Sequence, residues 1–91
     1  CPIGPWIETE FKPGNQKISA SVAGEIKQSA RLDQMVFDIP TIIAFVTRIM
    51  TLLPGDLILT GTPAGIGPMV PGGKVSVTIE GIGELVNTVA K

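Results

Sequence analysis

KISASVAGEIKQS, residues 17–29, decides the fold class, because it alternates and then turns back on itself. Ile18, Ala20 and Val22 point one way and Lys17, Ser19 and Ser21 the other, the period of two that a half-buried strand requires. Ala23-Gly24 closes a hairpin, since Gly24 can take the positive φ that a two-residue turn demands. Residues 25–29 are therefore predicted to return antiparallel. A second hairpin is predicted near the other end of the chain. There Val75, Val77 and Ile79 alternate with Ser76, Thr78 and Glu80, Gly81-Ile82-Gly83 makes a turn, and residues 84–90 return.

Between the hairpins the period changes from two to 3.6. A helix is predicted from about residue 38 to 53, with Asp38 capping free backbone N–H groups, Pro40 tolerated in the first turn and Pro54-Gly55 as the stop. Ile39, Ile42, Ile43, Val46, Ile49, Met50 and Leu53 form one apolar stripe, which Phe45 and Leu52 widen. A core helix accounts for most of it. The width on so small a chain suggests that one margin packs against residues outside this sequence or against another subunit. After Asp56, the run Leu57-Ile58-Leu59-Thr60 suits a central strand covered on both faces. The opening CPIGPWIETE, with Pro2, Gly4 and Pro5, suits an extended edge or loop, and Pro13, Gly14 and Asn15 mark a turn. The fold class expected from these elements is a mixed, β-rich α+β unit: hairpins with one packed helix, and no internal repeat or linker.

Composition narrows the function classes. With 91 residues, 44% hydrophobic, 16% charged and a net charge of -1, the chain fits one small domain or part of a larger one, with room for one modest core. Cys1 is the only cysteine, so no internal disulfide forms and a cytoplasmic, reducing setting is expected. No apolar run reaches the roughly 18 residues that span a bilayer, so no membrane partner is expected. The seven basic residues are scattered among eight acids, so no cationic stripe suited to nucleic acid forms. A first residue other than Met, followed at once by apparently structured sequence, leads us to expect processing or truncation of a longer product.

Several kinds of chemistry are absent from the residue inventory. There is no His, which excludes a Ser/His/Asp triad, a Cys/His pair and any imidazole metal site within the chain. Cys1 has acids as its nearest charged neighbours in sequence and no nearby base, so it is read as inert. The loop GTPAGIG, residues 61–67, is the strongest local feature. Its three glycines and the Thr62 hydroxyl, following an apolar run, either let backbone approach an anionic ligand or merely turn the chain, and on the residues alone both readings stand. Phosphate-loop and dinucleotide patterns do not fit it. Glu8 and Glu10 share a face if extended, but two acids without a third nearby read as a solvated pair rather than a metal site. Asp33 and Asp56 read as turn and strand-entry residues.

Taken together, PIGPW at residues 2–6, FDIP at 37–40 and LLPGDLILTGTPAGIG at 52–67 make the chain resemble the C-terminal portion of fumarylacetoacetate hydrolase family proteins, over essentially its whole length. The resemblance implies a partial β-sandwich roll of that family's C-terminal type. It further implies a cytoplasmic homodimer that uses a divalent cation, commonly Mg²⁺, on a small-molecule oxo-acid or β-dicarbonyl substrate. Members hydrolyse carbon–carbon bonds, decarboxylate or isomerise.

Carried over residue by residue, Thr62 matches the family's loop threonine that donates to a substrate carboxylate, and Gly61 with its neighbours would shape that pocket. The resemblance puts the metal ligands, a Glu-x-Glu pair and an Asp, together with an active-site lysine, before PIGPW. Glu8 and Glu10 follow PIGPW and do not stand in for them. The sequence therefore yields substrate-binding candidates, Thr62 and Gly61, but no catalytic or metal-ligating residue. Residues 1–91 are read as part of a catalytic domain and expected to be inactive alone. The alternative is a non-catalytic binding or structural module of the same fold.

Overall fold

Alternation and turn chemistry act together in the first hairpin, where β1 (Lys17–Val22) pairs antiparallel with β2 (Glu25–Arg31). Ala23 and Gly24 between them have φ of 51° and 82°. Two positive-φ residues give the turn whose twist matches the flanking strands. The structure, a computed structural model, describes residues 1–91. β3 (Lys74–Ile79) and β4 (Gly83–Thr88) form the second predicted hairpin. β1 also pairs with β3, giving one antiparallel sheet in the order β2-β1-β3-β4.

The register sorts the side chains. Ile18 faces Ile79, Ala20 faces Val77 and Val22 faces Val75, while Leu85 faces Val77 from the other side. Because paired residues project to the same side, these apolar groups make one face. The opening segment covers part of it. The Trp6 indole N–H donates to the Ile82 carbonyl at 2.9 Å, and its ring lies 2.5 Å from where a Cβ on Gly83 would sit. Only glycine allows the ring so close to that strand.

β2 departs from regular pairing. Ala20 faces Gln28 but Ser21 faces Ile26, so Lys27 is left unpaired as a β-bulge. Without the bulge Lys27 would face Ala20. With it, Gln28 and Ala30 join the apolar face.

α1 (Ile39–Ile49) begins where the sequence predicts, with the Asp38 carboxylate accepting the Thr41 backbone N–H at 2.9 Å. The Thr41 hydroxyl, and then that N–H, hold the Asp38 carboxyl below its ordinary pKa. The helix ends at Ile49 rather than near residue 53, and Met50 is extended. Two causes combine. The residue before Pro54 is steered away from helix, and Asp56 closes a competing turn, accepting the Leu53 N–H at 2.8 Å and donating its own to the Leu53 carbonyl at 3.0 Å. Of the apolar stripe, Ile39, Ile42 and Val46 are half-buried, whereas Phe45 remains 62% exposed.

The expected central strand at residues 57–60 does not form, which corrects that expectation. Leu57 is 59% and Leu59 80% exposed, and the four strands pair only with one another. An apolar run becomes a strand only where neighbouring strands satisfy its backbone groups. No residue of the chain is fully buried. No helix is long and apolar enough to cross a membrane.

Candidate functional site

The loop after residue 60 is fastened to β2. Gln28 Nε2 donates to Thr62 Oγ1 at 2.7 Å and to the Pro63 carbonyl at 2.8 Å. Gly65, at φ 108°, lies against the bulge, where a Cβ would collide with the Lys27 carbonyl oxygen and come within 3.1 Å of Gln28 Cγ. This glycine therefore serves a close approach between loop and strand. Gly61, at φ 96°, has open space around a Cβ. Its requirement is conformational.

Thr62 and Gly61, the two residues singled out in the sequence, line a cleft of about 590 Å³. Thr60, Pro63 and Ala64 complete the loop side. β2 contributes Ser29, Ala30 and Arg31, and Leu32, Gln34, Met35, Phe37 and Ile42 close the apolar end toward α1. An apolar recess with a few hydroxyls and one cation is the composition of a small-ligand site. A single 3-10 turn, Leu32–Gln34, carries two groups that hold Arg31. Asp33 accepts from Arg31 Nε at 2.9 Å, and the Gln34 side-chain oxygen accepts the Arg31 backbone N–H at 2.7 Å. That pairing uses Nε and leaves both Nη groups without a partner in the chain.

The remaining candidates lie elsewhere. Glu8 accepts the Glu10 backbone N–H at 3.0 Å, and neither acid lines the cleft. Asp33 and Asp56 are engaged in the local contacts described above. No three acidic or cysteine side chains come together as metal ligands. A hard divalent cation takes six or more oxygen ligands, with protein carboxylates among them, so the residues present do not fit one.

Gln28, Arg31 and the strand contact of Gly65 were missed in the sequence. Gln28 left no signal in the sequence, because only the bulge brings this polar residue onto an apolar face, where such a residue usually has a specific partner.

Against this geometry, the sequence pattern described as fumarylacetoacetate (FAA) hydrolase C-terminal matches residues 1–90. The crystal structure of 2-hydroxyhepta-2,4-diene-1,7-dioate isomerase from Mycobacterium marinum superimposes with a TM-score of 0.95 at 52% identity, over 99% of this chain and 36% of that one. Maleylpyruvate hydrolase from Sphingobium sp. SYK-6, in complex with manganese(II) ion and pyruvate, gives 0.93 at 40% identity over 99% and 35%. The 4-hydroxyphenylacetate degradation bifunctional isomerase/decarboxylase of Salmonella dublin is 43% identical over 91 residues, which is 97% of this chain and 21% of that protein. The chain spans between 21% and 39% of the length of the curated relatives it matches. With the family pattern matched over residues 1–90 and the fold superimposing at a TM-score of 0.95, the chain belongs to the fumarylacetoacetate hydrolase family and corresponds to its C-terminal region.

Proposed function

We propose that residues 1–91 form the substrate-carboxylate wall of an enzyme that hydrolyses, decarboxylates or isomerises a small oxo-acid. The observation that carries this is the exposed Thr62 hydroxyl lining the cleft and held by Gln28. A hydroxyl donating to an anion makes a charge-assisted hydrogen bond, stronger than one between neutral groups. Thr62 thus orients the acid, and Gly61 gives the loop the backbone conformation that presents the hydroxyl.

In this proposal the reaction itself is carried by groups beyond residues 1–91, including those that hold a divalent cation such as Mg²⁺ or the manganese named for the Sphingobium enzyme. The working protein is a cytoplasmic homodimer; the uncovered apolar margin of α1 supports the dimer alone.

The test is Thr62→Val in the complete enzyme, assayed by steady-state kinetics on an oxo-acid substrate. Losing one hydrogen bond to a charged group costs about 1.5 to 3 kcal/mol, so kcat/KM should fall roughly 10- to 100-fold, mainly through a raised KM. An unchanged kcat/KM would remove Thr62 from the site.

A further inference from the structure

Gln28 does more than anchor the loop. Of its two bonds, the one to Pro63 identifies the atoms. A proline carbonyl oxygen can only accept, so the side-chain atom facing it is the amide nitrogen. That same nitrogen lies 2.7 Å from Thr62 Oγ1. Its two hydrogens then serve one acceptor each, Pro63 O and Thr62 Oγ1. A hydroxyl has one proton to give and lone pairs with which to accept. Once Thr62 accepts from behind, its proton is directed away from Gln28, and no group of the chain takes it up.

We propose that Gln28 is a positioning residue for substrate binding, one that fixes the polarity of the Thr62 hydroxyl so that a donor, not a lone pair, meets the substrate carboxylate. The inference rests on the role given to Thr62 above and names the residue that enforces it. Two structural features hold Gln28 in place. The bulge at Lys27 turns its side chain onto the face crossed by the loop, and Gly65 lets the loop approach closely enough to be reached. Without the amide, the hydroxyl could rotate and offer oxygen to oxygen, which is repulsive toward an anion.

The experiment measures pyruvate binding to the complete, manganese-loaded enzyme by isothermal titration, with Gln28→Leu, Gln28→Glu, Thr62→Val and the double variant Gln28→Glu/Thr62→Val. Gln28→Glu is nearly isosteric, but at neutral pH its carboxylate only accepts, so it draws the Thr62 proton inward. We expect Thr62→Val to weaken binding about tenfold, in line with one charge-assisted bond. Gln28→Glu, which also sets a carboxylate oxygen against the Pro63 carbonyl and a charge near the ligand, should weaken it more than Gln28→Leu, and its loss should shrink in the Thr62→Val background. A residue that merely supported the loop would give a Gln28→Glu loss of the same size with and without the Thr62 hydroxyl. That pattern, or wild-type affinity in Gln28→Glu, would overturn the role of Gln28 while leaving Thr62 in place. If Thr62→Val itself binds pyruvate normally, the carboxylate-wall function falls and this inference with it.

Discussion

Gly65 carries the seat of the loop, and the demands on it differ from those on Gly61. Both have positive φ, but only at Gly65 would a side chain run into backbone, at the Lys27 carbonyl. Strain from positive φ alone costs a non-glycine residue roughly 1 to 2 kcal/mol. Gly61→Ala should stay within that range by denaturant unfolding of the complete protein. Gly65→Ala should cost at least about 1 kcal/mol more, because the loop must also lift from β2. Equal losses would mean that the contact between loop and bulge contributes nothing. The contrast also marks what the sequence discloses at this scale. Thr62 and Gly61 were legible through the motif that contains them, and both line the cleft. Gln28 was not, since it lies 34 residues from Thr62 and reaches the apolar face only through a bulge that strand alternation does not reveal.

At the scale of elements, local chemistry was legible wherever it was sufficient. Both hairpins and the start of α1 follow from residues within a few positions: alternation, turn glycines, and Asp38 bonded to Thr41. Where an element depends on distant partners the reading failed, as at residues 57–60, whose apolar run has no neighbouring strand. The first turn retains a local conflict. Ala23 sits at φ 51° although its Cβ disfavours it. Asparagine tolerates that conformation far better, and Asn-Gly is a preferred pair for a two-residue turn with positive φ at both positions. Ala23→Asn should therefore raise stability by roughly 0.5 to 1 kcal/mol. It should do so without altering pyruvate affinity, because the turn lies at the other end of β2 from the Arg31 side of the cleft. A denaturant midpoint that stays the same or falls would show that the strain is relieved elsewhere in the hairpin.

For the whole molecule, surface area is the governing quantity. A folded globular chain of 9.5 kDa exposes roughly 5,000 Å², whereas this one exposes 7212 Å². Its radius of gyration is 14.5 Å, against about 12 Å for a compact chain of this length. The additional surface includes Val36, Phe45, Leu59 and Ile66, side chains that ordinarily supply a core. Net stability is a small difference between large opposing terms, so apolar side chains left in water remove part of the burial on which folding depends. This sheet and helix therefore depend on a covering surface. In the proposal above the cover is the remainder of the enzyme and a second subunit. Isolated residues 1–91 should bind a hydrophobic dye, self-associate in sedimentation, and show no cooperative melting transition. In the complete protein, the amide hydrogens of β1 and β3 should exchange only with global unfolding. A monomeric 91-residue chain with a sharp two-state transition would mean that the sheet is stable without its cover, and that the exposed apolar face of α1 serves something other than folding.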